Sequence, residues 1–240
     1  MKETNFDLEQ CENQVINSSS VAMEVSARIG VILIDLQKAF TLGQWMQAVG
    51  PGDVTRIAQV FSRSADVVKH LSDDVPLLLT RCLFRREQDF EFDSEVANSL
   101  QNKTYTEIIK PNTRILDFDP DAVKAWIQKL REENITTVLI GGCTTTSCVR
   151  QSSIQLQQNF SRKGDPGFVV DLSMCGARDS NYLKRCVLCM EKYLSGYDVR
   201  CKGCEESGMM SPVDKAVEDM TQAGVTVVQQ FDWSKYLKKE

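Results

Sequence analysis

The feature that most constrains this chain is an alternation of two patterns. Continuous apolar runs with no polar face are followed repeatedly by stretches with apolar residues at helical spacing. Ile29 to Asp35 (IGVILID) is the first run, and an unbroken apolar run of this length suits a strand covered on both faces. Val54, Ile57, Ala58, Phe61, Ala65 and Val68 then recur at helical spacing. Val75 to Thr80 (VPLLLT) is a second buried strand and Ile108 to Lys110 a short third. Asp119 and Pro120 have the order of an N-cap followed by proline in the first helical turn, ahead of Ala122, Val123, Trp126, Ile127 and Leu130 on one face. Thr137 to Ile140 and Phe168 to Asp171 are the fourth and fifth strands. Ser211 and Pro212 open another helix, with Asp214 at the capping-box position and Val213, Val217 and Met220 inside; Gly224 closes it, and Val225 to Val228 is the last strand. Such alternation predicts an α/β fold, with three layers and a mostly parallel central sheet between helices.

The 240 residues are 42% hydrophobic and 25% charged, enough to bury one ordinary globular core. No internal repeat or low-complexity linker follows residue 27, so residues 28–240 read as one domain. Residues 1–27 are polar, with Ser18, Ser19 and Ser20 in a row, and are expected to form a disordered tail. They lack the apolar core of a secretory signal. Nine cysteines without such a signal point to a reducing, cytoplasmic setting, where thiols are catalytic, metal-bound or buried. A net charge of −5 gives no basic surface for nucleic acid. No apolar run approaches the roughly 18 residues needed to span a bilayer.

Chemistry concentrates in Ile135 to Arg150 (ITTVLIGGCTTTSCVR), which reads as a strand, a small-residue turn and a helix opening at Cys148. A cysteine in the first turn of a helix meets the positive end of the helix dipole and free backbone N–H groups, a setting that favours a thiolate and an oxyanion. Sites in open parallel sheets form at the carboxyl ends of the strands. Asp35 ends the first strand, Lys110 ends the third, and Cys148 lies just beyond the fourth. A lysine would lower the thiol pKa, and an aspartate could take the thiol proton and return it to a leaving amine. The single histidine, His70, falls near the end of the first long helix and away from this edge, which argues against Cys–His catalysis.

DLQKAF (35–40), IIKP (108–111) and GGCTTTSCVRQSS (141–153) resemble the three signature segments of the isochorismatase-like cysteine hydrolases, and VVDLSMCGARDS (169–180) resembles their fifth strand and following loop. That family includes nicotinamidases, carbamoylsarcosine amidases and isochorismatases. The resemblance spans about residues 28–180 and resumes at 209–231. It implies Asp35 as general base and acid, Lys110 as charge partner and Cys148 as nucleophile. It also implies a non-proline cis peptide between Cys143 and Thr144, which would aim the Thr144 N–H with that of Cys148 as an oxyanion hole. Gln37 and Phe40 match the first motif, Phe40 as a pocket wall. The implied reaction is hydrolysis of a C–N bond in a small amide, carbamoyl or ureido compound through a thioester. An ether hydrolase of the isochorismatase type is the enzymatic alternative, and an idle scaffold with a partner-binding insertion the non-enzymatic one. The chain departs from nicotinamidases in having no histidine in TRCLFRREQDFEFD (80–93), which argues against their metal site. No organic cofactor is expected. Arg81, Arg85, Arg86, Arg178 and Trp45 are further pocket candidates, the arginines as ligands for a carboxylate. Related hydrolases are often oligomeric, so a homo-oligomer is expected.

A second signal lies in an insertion at 181–210. It holds Cys186-Val-Leu-Cys189 and, after eleven intervening residues, Cys201-Lys-Gly-Cys204. Two C-x-x-C pairs suit a closed, tetrahedral and therefore structural Zn²⁺ site. The first pair is expected on a helix over 182–194, with both thiols on one face.

Overall fold

The computed structural model describes residues 28–194 and 208–238; the expected tail at 1–27, and Cys201 and Cys204, lie outside them. The elements in chain order are β1 (Ile29–Ile34), α1 (Lys38–Thr41), α2 (Gln44–Val49), α3 (Thr55–His70), β2 (Leu77–Cys82), α4 (Glu87–Phe90), α5 (Ser94–Ser99), β3 (Thr106–Lys110), α6 (Pro120–Glu132), β4 (Thr137–Cys143), α7 (Arg150–Asn159), β5 (Gly167–Gly176), β6 (Arg185–Cys186), α8 (Met190–Leu194), β7 (Met209–Met210), α9 (Pro212–Gln222) and β8 (Thr226–Val228). Six strands form one sheet in the order β3-β2-β1-β4-β5-β8, and every pairing within it is parallel. The chain therefore starts in the middle, winds out through β2 and β3, then crosses to β4. The carboxyl ends of β1 and β4 flank the point where winding reverses, the usual place for a crevice in such sheets.

Alternation along β1 splits the core into two layers. Val31 and Leu33 face α3, where Ile57, Phe61, Ala65 and Val68 pack with Leu77, Leu79 and Leu139. Ile32 and Ile34 face the other way, onto Val123, Trp126, Ile127 and Leu130 of α6, Leu156 of α7 and Met220 of α9. All six residues of β1 are buried, which is why its sequence shows no polar face. Asp119 caps α6 by accepting from the Ala122 N–H, with Pro120 in the first turn. Ser211 and Asp214 complete the capping box of α9. The C-terminal aromatic segment packs on the domain itself: Phe231 and Trp233 join the α3 layer, and the Trp233 indole donates to buried Asp171 at 2.9 Å. Among the described residues no helix is long and apolar enough to cross a membrane.

Two expectations need correction. The second strand runs Leu77–Cys82 rather than ending at Thr80, because Arg81 and Cys82 stay in register with Ile109 and Lys110 of β3. The 182–194 segment is not one helix: Cys186 lies in a two-residue strand paired with Met209, Cys189 lies in a 3-10 turn, and only Met190–Leu194 is α-helical. The two thiols therefore do not share a helix face. The stretches between β1 and α3 and between β2 and β3, which show no apolar periodicity, contain short helices.

Gly141 and Gly142 carry β4 past its neighbours at the site edge. Gly142 has φ of +126°, and a Cβ there would lie 2.1 Å from the Ile34 carbonyl oxygen. That oxygen belongs to the backbone of the central strand and has nowhere to move. Gly142→Ala is expected to cost more than about 3 kcal/mol, a loss of roughly 6–12 °C in melting temperature. A thermal melt within about 2 °C of wild type would contradict this reading of the strand crossing.

Candidate active site

Asp35 stands immediately after β1 with φ of 53°, a left-handed conformation that aspartate tolerates better than most residues. Its backbone N–H bonds the Thr80 carbonyl at 3.1 Å, so the turn is tied to β2. Asp35 and Lys110 are fully buried, and the Lys110 Nζ lies 2.6 Å from Asp35 Oδ2. Two buried charges cost several kcal/mol each to desolvate unless the geometry and remaining hydrogen bonds are good. Here they are good. Asp35 Oδ1 accepts from the Thr80 hydroxyl at 2.6 Å. Lys110 Nζ donates also to the Asn112 carbonyl at 2.9 Å and to Cys82 Sγ at 3.0 Å, so its three protons have three acceptors. Burial acts against the Lys110 ammonium most strongly. The Asp35 carboxylate, helped by the thiols of Cys148 and Cys82, more than offsets it, and Lys110 is held above its ordinary pKa.

Cys148 lies in a π-helical turn, Thr145–Val149, that leads directly into α7. It is 7% exposed. The Cys143–Thr144 peptide is cis, and the Thr144 carbonyl accepts from the N–H groups of Ser147 and Val149 at 3.0 and 3.1 Å. The start of α7 is fastened to the segment after β3: the Thr113 hydroxyl donates to Gln151 at 2.7 Å and the Ser152 hydroxyl to the Thr113 carbonyl at 3.1 Å. These bonds fix the Cys148 turn relative to Lys110.

The residue that sequence reasoning missed is Cys82. Its thiol is 3.2 Å from Asp35 Oδ2, and one Asp35 oxygen and the sulfurs of Cys82 and Cys148 all lie within 4.8 Å of one another. The period of two along β2 explains its direction: Thr80 and Cys82 share the Asp35 side, and Arg81 points away. Such a trio could offer ligands to a thiophilic cation, but the ion would meet the Lys110 ammonium hydrogen-bonded to two of the three.

The other candidates divide. Gln37 is fully buried; its amide accepts from the Cys82 N–H at 2.7 Å and donates to the carbonyls of Cys82 and Phe90 at 2.9 and 3.0 Å. It holds the end of β2 in place. Phe40 is buried and meets Trp45 and Phe84 edge-on, with centroids 5.0 and 5.6 Å apart. Arg81 is paired with Glu107 and stacked over Phe90 and Phe92, and Arg178 is paired with Asp53 at 2.6 Å. Both guanidiniums are thus engaged elsewhere. Arg85 and Arg86 are exposed. His70 sits half-buried at the end of α3 against Asp66, away from the site.

No protein-family model matches the sequence, and no curated protein matches it. Solved structures do. The octameric hydrolase of unknown specificity YcaC from Escherichia coli superposes with a TM-score of 0.52 at 17% identity, over 88% of this chain and 79% of that one. The nicotinamidase/pyrazinamidase PncA from Bacillus subtilis does so with a TM-score of 0.53 at 11% identity, over 84% and 100%. An isochorismatase family protein from Desulfovibrio vulgaris gives 0.50 at 15% identity, over 84% and 94%. The chain has the isochorismatase-like hydrolase fold. At these identities the likeness concerns the fold alone.

The geometry of the site revises one expectation. The hydrogen bond with Cys82, then burial, then the charge of Asp35 push the Cys148 thiol well above its ordinary pKa, and Lys110 only partly opposes them. The helix start does not produce a resting thiolate. A raised folded-state pKa means the neutral thiol is favoured, with the stability it contributes fully present below the unfolded value near 8.5 and lost as pH rises toward the folded one. Alkylation of Cys148 by iodoacetamide, followed by peptide mapping, is expected to keep accelerating beyond about pH 9. A rate that levels off below about pH 7 would show a preformed thiolate instead.

Proposed function

We propose that this protein is a cysteine-dependent hydrolase that cleaves a C–N bond of a small amide, carbamoyl or ureido compound. The observation that carries the reading is the joint placement of Asp35, Lys110 and Cys148 at one sheet edge, with the Asp35 carboxylate within 4.8 Å of the Cys148 sulfur. Lys110 keeps Asp35 oriented and its charge balanced. As Cys148 Sγ attacks the carbonyl carbon, its proton passes to Asp35, and the N–H groups of Thr144 and Cys148 receive the developing oxyanion. The C–N bond breaks with the proton going from Asp35 to the leaving nitrogen. Water then attacks the thioester, giving a proton to Asp35, and the Cys148 sulfur leaves and is reprotonated. A neutral resting thiol suits this cycle, since the base removes the proton only when the substrate is in place. Phe40, Trp45 and Phe84 form an aromatic wall beside the first strand's end, suited to one face of a small planar substrate.

The test is ammonia release from a panel of small amides, carbamoyl and ureido compounds. Wild type is expected to release it, and Cys148→Ala to lose at least 10³-fold in kcat. Full activity in Cys148→Ala would remove Cys148 from the mechanism. Loss in Cys82→Ser with retention in Cys148→Ala would transfer the role to the neighbouring thiol.

We also propose that Cys186, Cys189, Cys201 and Cys204 bind a structural Zn²⁺, a reading supported by the two C-x-x-C pairs. Metal analysis of the purified protein is expected to give one zinc per chain, reduced to a small fraction when Cys201 and Cys204 are both changed to serine. Zinc-free protein with four alkylatable thiols in this segment would contradict it.

A further inference from the structure

Hydrolysis as described uses one of the two thiols in the site and leaves Cys82 without a part. Yet Cys82 occupies the more accessible position. It is half-buried where Cys148 is buried, so a small solute reaches it first. Its sulfur accepts from the Lys110 ammonium at 3.0 Å. Asp35 Oδ2, 3.2 Å away, can take its proton. The Cys148 sulfur lies within 4.8 Å, while disulfide formation requires closure to about 2.05 Å.

We propose that Cys82 and Cys148 are a redox pair: a hydroperoxide oxidises Cys82, and Cys148 closes a reversible disulfide across the site. The Cys82 sulfur attacks the nearer peroxide oxygen. An S–O bond forms and the O–O bond breaks, and the leaving oxygen takes the proton held by Asp35 and departs as water or an alcohol. The Cys148 sulfur then attacks the Cys82 sulfenic acid. The S–S bond forms, the S–O bond breaks, and hydroxide leaves with the Cys148 proton as water. Two thiols are oxidised by two electrons and the peroxide is reduced. Peroxide chemistry otherwise carries an exposed thiol onward to sulfinic and sulfonic acids, and a neighbouring thiol that resolves the sulfenic acid prevents this. The linked form has no free nucleophile, so the same step would silence the hydrolase.

The experiment treats the full chain with stoichiometric hydrogen peroxide, blocks remaining thiols with N-ethylmaleimide and maps the peptides without reduction. Mapping is needed because the chain has nine cysteines. The expected result is a Cys82–Cys148 cross-linked peptide, lighter by two hydrogens than the separate pair, that dithiothreitol abolishes. In Cys148→Ala, dimedone is expected to label Cys82 as its sulfenic acid. Peroxide-treated wild type in which both residues are maleimide-labelled, or in which each is oxidised separately with no link, would overturn the proposal. Because the readout is a covalent bond and not turnover, a chain that forms the link but hydrolyses nothing would sink the proposed function alone.

Discussion

The buried ion pair between Asp35 and Lys110 is the interaction on which the site depends. Each partner ends a different strand, and β2 lies adjacent to both, so the pair can form only if β1, β2 and β3 are in register at their carboxyl ends. Neither charge is tolerable alone at that depth: removing one partner of such a pair typically costs about 3–5 kcal/mol. The pair therefore makes the correct sheet order and the correct site geometry one condition. It also fixes everything attached to it. Thr80 and Cys82 on β2 reach Asp35, Gln37 clamps the end of β2, and Asn112 receives the third Lys110 proton and leads into the segment that holds α7.

Much of this was legible in the chain. The strand ends carrying Asp35 and Lys110 were readable because both residues close apolar runs, and Cys148 because a small-residue turn precedes a helix there. The two capped helices starting at Pro120 and Pro212 were readable from their capping residues. Cys82 was not. The apolar run of β2 stops at Leu79, and the strand's last residues are held by pairing with β3 and by the Arg81–Glu107 ion pair, which apolar periodicity does not register. The arginines misled for a related reason. A guanidinium near a site is informative only once its partners are known, and Arg81 and Arg178 are engaged by Glu107 and Asp53. The expected helix over 182–194 failed because Cys186 enters a two-residue ladder with Met209, a contact between positions far apart in sequence.

The thiol itself shows local and tertiary effects in opposition. The start of a helix favours a thiolate, and that much follows from the sequence. A second thiol, burial and a nearby carboxylate favour the neutral form, and these follow only from the fold. The tertiary surroundings win. In the proposed hydrolysis this means a nucleophile generated on demand by Asp35 and not stored as an anion, with the proton placed where the leaving nitrogen would need it.

The proposed hydrolysis requires a covalent intermediate at Cys148. The most direct measurement is acid quenching of the enzyme within the first turnover on a substrate that releases ammonia, followed by intact-mass analysis and peptide mapping. The expected result is an acyl adduct on the peptide containing Cys148, formed at the rate of ammonia release and cleared by hydroxylamine. An enzyme that turns over with no adduct at any time point, or that carries its adduct on Cys82, would contradict it.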